Sequence, residues 1–140
     1  MNVVYTAEAL ATGDGRNGHA RTADGTLDLD LARPKEMGGS GEGANPEQLF
    51  AAGYAACFHQ AVKAVGGKGN FETGDSAVGA KVGIGPNESG GFQLRVTLEV
   101  SLPNLSREQA REVADKAHQM CPYSNATRGN IEVDVLIAED

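Results

Sequence analysis

The sequence predicts an α+β domain with the element order βββ–α–ββ–α–β. Three observations predict it. Two stretches alternate apolar and polar residues, Leu27-Asp28-Leu29-Asp30-Leu31 and Leu94 through Val100, as half-buried strands do. Two helix starts carry capping signals, at Asn45 and at Ser106. No segment repeats, and the strands fall in groups rather than alternating one by one with helices. At 140 residues the chain is expected to be a single domain, 1–140.

In chain order, residues 2–12 are rich in Val, Tyr, Thr and Ala and read as a strand that ends at Gly13-Asp14-Gly15. Residues 19–23 and 26–32 read as two strands around the Asp24-Gly25 turn. A Gly-rich loop over 34–45 leads to Asn45-Pro46-Glu47-Gln48, where Asn suits the N-cap and Pro the first helical position. That helix is expected to run to about Val65 and stop at Gly66-Gly67. From Leu49 to Phe58 every residue is apolar or Gly, so this long central helix must be covered on all sides. One small sheet covers one side only, which predicts a second subunit or a second helical layer on the other. Residues 75–85 and 92–102 read as a hairpin, and Ser106 with Gln109 makes a capping box for a helix whose stripe is Ala110, Val113, Ala114 and Ala117. Cys121-Pro122 ends that helix, because a residue before proline resists helical geometry. A short helical turn over 122–128 and a last strand over 131–138 complete the order.

Charge and composition narrow the function. A net charge of -7 opposes phosphate backbones and anionic lipid, so neither nucleic acid nor membrane is an expected partner. No secretory signal pattern and no long apolar run is present, which gives a cytoplasmic expectation. In that reducing compartment two cysteines point to catalysis, redox sensing or metal binding rather than a structural staple.

Gly13-Asp14-Gly15-Arg16-Asn17-Gly18 spells a dinucleotide fingerprint, but a strand follows it where the chemistry needs a helix N-terminus. The cysteines are better candidates. Cys57 lies inside the apolar helix, where burial alone raises a thiol's pKa and leaves it inert. Making it mostly thiolate at neutral pH requires a shift of about two units, or roughly 2.7 kcal/mol, from a nearby cation. Cys121 sits at a helix end, a place suited to a partner thiol. The 64-residue spacing permits a disulfide without establishing one. As a metal set the residues are poor: His118 and Cys121 share a face, but Cys57 and His59 are two apart and point away from each other. His19 reads as a solvated loop or strand residue.

Asn45-Pro46-Glu47-Gln48-Leu49-Phe50-Ala51-Ala52-Gly53-Tyr54-Ala55-Ala56-Cys57-Phe58 resembles the first cysteine motif of the organic hydroperoxide resistance proteins, a branch of the OsmC/Ohr superfamily. Lys116 through Asn130, with Cys121-Pro122-Tyr123 at its centre, resembles the second. Gly38-Gly39 and Val82-Gly83-Ile84-Gly85 extend the likeness over essentially the whole chain. The resemblance implies an intertwined homodimer with active sites at the subunit interface. It implies a peroxidatic Cys57, a resolving Cys121, a catalytic Arg16 and a Glu47 partner for that arginine. Around Arg16 the sequence departs from the family, reading Gly-Asp-Gly-Arg-Asn-Gly where Gly-Gly-Arg-Asp-Gly is usual, and Ala44 stands where Thr is common.

The expected chemistry follows. Arg16, positioned by Glu47, favours the Cys57 thiolate, which attacks an organic hydroperoxide and becomes a sulfenic acid. Cys121 closes a disulfide, and an external dithiol resets it. The resemblance implies a lipoylated protein as that reductant. Leu49, Phe50, Tyr54 and Phe58 are the expected substrate-binding residues and favour alkyl or fatty-acid hydroperoxides. No cofactor is expected: no metal, flavin or nucleotide. Glu47 and Cys57 are ten residues apart on one helix, about 15 Å of rise, so the carboxylate acts through Arg16 or comes from the partner subunit. Two other readings compete, a non-catalytic redox-sensing protein and a metal-binding stress protein.

Overall fold

A computed structural model of the chain describes residues 1–139. Strands β1 (Ala9–Thr12), β2 (His19–Thr22) and β3 (Asp28–Asp30) precede helix α1 (Pro46–Gly69). Strands β4 (Ala77–Pro86) and β5 (Phe92–Ser101), helices α2 (Arg107–Met120) and α3 (Pro122–Thr127), and strand β6 (Val133–Ile137) follow. The predicted order is the observed one. The chain divides into two compact units, Met1–Leu49 and the part from Phe50 onward, and α1 begins in the first and continues in the second.

In the first unit, β1, β2 and β3 form an antiparallel sheet in that order, with Ala9 opposite Thr22 and Ala20 opposite Leu29. β1 is shorter than the 2–12 stretch expected. A strand extends only as far as it has a partner, and the four residues of β2 pair with four of β1. Asp24-Gly25 makes the predicted turn: the Gly25 N–H donates to the Thr22 carbonyl, and the Asp24 carboxylate accepts from Thr22 and Thr26. The alternation over 27–31 predicts one buried face. In this chain, however, Leu27 is exposed and Leu29 and Leu31 are only half-buried. The cause is that the unit builds almost no core. Ala32 is the one buried apolar side chain in residues 1–49.

The second unit has a real core. β4 pairs with β5 antiparallel from Ala77 opposite Ser101 to Pro86 opposite Phe92, and β6 lies parallel to β5 with Val133 opposite Val96. A parallel neighbour needs a crossover, which α2 and α3 supply. The inward residues of β5, Val96, Leu98 and Val100, join Tyr54, Phe58, Val62 and Val65 of α1 and the Ala110, Val113, Ala114, Ala117 stripe of α2 in one cluster. Each large apolar side chain buried there contributes about 1.5–3 kcal/mol.

The helix starts form as their sequences direct. Asn45 Oδ1 accepts from the Gln48 N–H at 2.8 Å, and Gln48 Oε1 accepts from the Asn45 N–H at 3.1 Å. Ser106 and Gln109 make the equivalent box for α2. The end of α1 differs from expectation, because Gly66-Gly67 does not stop it. Gly66 is buried, and a Cβ there would lie 2.3 Å from the Thr73 methyl, so its bare backbone serves close packing inside the helix. The stop comes later, where Asn70 turns left-handed with φ 58° and the Phe71 N–H bonds back to the Gly66 carbonyl. Cover for α1 is also incomplete within one chain: Ala52, Ala56, Gln60 and Lys63 are exposed. Among the described residues no helix is long and apolar enough to cross a membrane.

Candidate active site

In the second unit the two cysteines meet. Cys57 Sγ and Cys121 Sγ are 3.7 Å apart as free thiols, with Cys57 half-buried and Cys121 fully buried. Cys57 is held by the middle of α1. Cys121 is the joint between α2 and α3, with extended backbone (φ -63°, ψ 125°) that lets one helix end and the next begin at Pro122. A disulfide requires about 2.05 Å between sulfurs, so the two must close by roughly 1.7 Å.

Burial pushes the Cys57 thiol above its ordinary pKa. The Tyr123 main-chain N–H, in the first turn of α3, hydrogen-bonds Cys57 and opposes that rise, while the neighbouring Cys121 thiol adds to it. These surroundings leave Cys57 protonated at neutral pH, and a cation is needed to make it a thiolate.

Behind the thiols lies a buried polar hub. The Ser124 hydroxyl lies 2.8 Å from Tyr54 Oη and 2.8 Å from His118 Nδ1, and Tyr54 Oη is also 3.1 Å from Thr127 Oγ1. Burial first, then Arg128, holds His118 below the ordinary imidazole range, so it is neutral near pH 7. An ordering that gives every contact one proton has His118 Nδ1–H donating to Ser124, the Ser124 O–H to Tyr54, the Tyr54 O–H to Thr127 and the Thr127 O–H to the Ser124 carbonyl. Among the described residues every buried side-chain nitrogen or oxygen has a partner. Tyr123 packs its ring against Phe50 and Tyr54, with centroids 6.0 and 5.5 Å away. A Cβ on Gly53 would meet the Tyr123 hydroxyl at 2.6 Å, so the bare residue one turn before Cys57 makes room for that ring.

The first unit holds its own charged pair. Arg16 Nη1 and Nη2 donate to the two Glu47 carboxylate oxygens at 2.8 and 2.7 Å, a bidentate fork. The Glu47 side chain is 12% exposed and that of Arg16 is 30% exposed, so the pair is partly shielded from water. Arg16 holds the Glu47 carboxyl below the usual carboxylate range. Glu47 is placed by the first turn of α1, and Arg16 by a single 3-10 turn over Gly15–Asn17 that Gly15 enters with φ 56°. The turn around Arg16, which departs from the motif it resembles, still delivers its side chain to Glu47. The Asn17 carboxamide fixes the next segment by accepting from the Arg33 N–H.

The remaining sequence candidates fall as follows. Leu49 and Phe50 are half-buried, and Tyr54 and Phe58 are wholly buried in the core. His59 bonds Ser76, and His19 lies between Asp28 and Asp30, which raise its pKa. Among the described residues no three His, Cys, Asp or Glu side chains gather as a metal site. Gly53, Ser124, Thr127 and the Tyr123 amide had no role in the sequence reading. Only their position inside the two cysteine motifs singled them out.

The family model described as OsmC-like protein matches residues 39–136. The chain is 50% identical to the organic hydroperoxide resistance protein of Xanthomonas axonopodis pv. citri, over 97% of this chain and 96% of that one. It is 47% identical to the organic hydroperoxide resistance protein OhrB of Bacillus subtilis, over 93% and 95%. The crystal structure of an organic hydroperoxide resistance protein from Elizabethkingia anophelis superimposes with a TM-score of 0.94 at 49% identity, covering 100% of both chains.

Proposed function

This chain belongs to the OsmC-like family and, within it, to the organic hydroperoxide resistance proteins, and from that premise we propose that it is a thiol peroxidase reducing organic hydroperoxides to alcohols. The observation that carries the proposal is the 3.7 Å approach of two free thiols that are 64 residues apart in sequence. In the first step the Cys57 thiolate attacks the terminal oxygen of ROOH. The O–O bond breaks, ROH leaves after taking a proton, and Cys57 becomes a sulfenic acid. In the second step the Cys121 sulfur attacks that of Cys57. An S–S bond replaces the S–O bond, and water leaves with the Cys121 proton. An external dithiol, for which a lipoylated protein is the proposed source, then reduces the disulfide by exchange.

Arg16 is the cation in this scheme, and Glu47 fixes its guanidinium plane. Such an arginine must offset the burial that raises the Cys57 pKa and also lower it by about two further units, roughly 2.7 kcal/mol. The preferred source of the pair is the partner subunit of a homodimer. Two features support that dimer: the first unit has almost no core of its own, and α1 leaves Ala52 and Ala56 uncovered. Phe50 and Leu49, half-buried, are the residues proposed to meet the alkyl chain of the substrate, with Tyr54 and Phe58 supporting from behind. In this reading residues 1–140 act as one domain, without a metal, flavin or nucleotide. A reducing compartment such as the cytoplasm suits a thiol pair that must be reset.

The test is consumption of tert-butyl hydroperoxide by the purified protein with dihydrolipoamide. Turnover is expected with the wild type and not with Cys57→Ser. Full turnover by Cys57→Ser refutes the mechanism, and stoichiometric metal in a protein without turnover favours the metal-binding reading. A solution mass near twice the 14.5 kDa of one chain is expected, and a monomer's mass refutes the dimer.

A further inference from the structure

We propose that Ser124 is a positioning residue for disulfide closure, its hydroxyl tying together the helical segments that carry Cys57 and Cys121. The inference rests on the peroxidase reading above. Ser124 is fully buried, and its oxygen is the shared partner of Tyr54 and His118, each at 2.8 Å. The placement of those partners matters. Tyr54 precedes Cys57 by three residues on α1, and His118 precedes Cys121 by three residues on α2, so each lies on the same helix face as its cysteine. Ser124 itself follows Cys121 by three residues in α3. One hydroxyl therefore bonds a side chain one turn from each thiol and belongs to the segment that begins at the second.

The geometry sets what this tie does. The sulfurs start 3.7 Å apart, and the Cys121 backbone is the joint between α2 and α3, so the position of α3 sets where the Cys121 side chain begins. The main chain adds no direct bond from α3 to α1 at the thiols beyond the Tyr123 amide on Cys57. Without the hydroxyl, His118 loses its buried Nδ1 partner and Tyr54 Oη keeps only Thr127, so the link from α2 to α1 through Ser124 is lost and the two side-chain bonds from α3 to Tyr54 fall to one. The resolving step is the one that suffers. Cys57–SOH then waits longer for Cys121, and a second hydroperoxide can oxidise it to the sulfinic acid while being reduced to its alcohol.

The experiment is a pulse of tert-butyl hydroperoxide on pre-reduced protein, with mass spectrometry of Cys57 as disulfide or sulfinic acid. It compares wild type, Ser124→Ala and Tyr54→Phe at a temperature well below each melting point. The ratio of sulfinic acid to disulfide is expected to rise about tenfold in both variants, since an ångström of misplacement costs up to about a hundredfold in rate. A role confined to stability lowers the melting temperature without moving that ratio. Tyr54→Phe keeps the ring and removes only the hydroxyl, so it carries the test should Ser124→Ala fail to fold. A ratio within twofold of wild type in the folded variants overturns the positioning role while leaving the peroxidase reading intact. A wild type whose Cys57 stays a thiol through the pulse overturns both.

Discussion

Replacing Glu47 with Gln should separate the charge of the Arg16–Glu47 pair from its shape. The side chain keeps its length, but one of two acceptors becomes an amide donor that faces the guanidinium. Two hydrogen bonds of 2.8 and 2.7 Å between opposite charges become at most one, from the charged guanidinium to a neutral amide oxygen. With Glu47 12% exposed and Arg16 30% exposed, the loss is about 1–1.5 kcal/mol after discounting for solvent screening. Loss of a carboxylate from the first turn of α1 adds roughly 0.5 kcal/mol through the helix dipole. A total of about 1.5–2 kcal/mol corresponds to a fall in Tm of roughly 5–8 °C for a domain of this size. The assay is thermal unfolding of both proteins at a series of pH values. Glu47's folded pKa lies below its unfolded one, so its contribution is present above the unfolded pKa and is lost as pH falls through the folded pKa. The Tm gap should therefore be full at pH 7 and shrink below about pH 4.5. A gap of under 2 °C at pH 7, or one that holds constant into acid, would refute the electrostatic account of this pair.

Other substitutions probe the thiols, the core and the first sheet. Cys121→Ser should consume one equivalent of hydroperoxide to reach the Cys57 sulfenic acid, or a second to reach the sulfinic acid, and then stall, and continued turnover with dihydrolipoamide would show that Cys121 is not the resolving thiol. Gly66→Ala forces a methyl to within 2.3 Å of Thr73 Cγ2 and should cost about 1–3 kcal/mol in denaturant unfolding. Adding Thr73→Ser removes the clashing methyl and should restore part of that loss, and no restoration would place the strain elsewhere. His19, bonded first to Asp30 and then to Asp28, should titrate above an ordinary histidine by NMR and return toward it in Asp30→Asn. Its stabilising contribution is full below the unfolded pKa near ~6.5 and is lost as pH rises through the raised one. An unmoved titration in Asp30→Asn would contradict the assignment.

Local rules were enough for what the chain could decide by itself. The helix starts at Asn45 and Ser106 depend on side chains reaching backbone N–H groups three residues away, so any sequence window containing them states the answer. The alternation of Val96, Leu98 and Val100 marks the inward face of β5 for the same reason. The two cysteine motifs also single out Cys57, Cys121 and Glu47 as candidates, and the resemblance adds Arg16 from the glycine turn at 13–18. Their limits were local as well. Gly66-Gly67 reads as a stop because glycine often ends helices, but a glycine is equally a place where another segment comes close, and only the position of Thr73 tells the two apart. The strand over 2–12 was overlong because β-propensity says nothing of how many partner residues exist.

Tertiary structure decided everything that depends on two distant residues meeting. The parallel pairing of β6 with β5 follows from the crossover through α2 and α3, not from the content of the strand. The Ser124 hub and the Tyr123 amide at Cys57 exist because α3 starts immediately after Cys121 and packs on α1. Sequence alone could set two thiols 64 residues apart and give each a role, because residue type and motif are written locally. That their sulfurs stand 3.7 Å apart is a property of the packed helices, since separation along a chain puts no lower bound on distance in space.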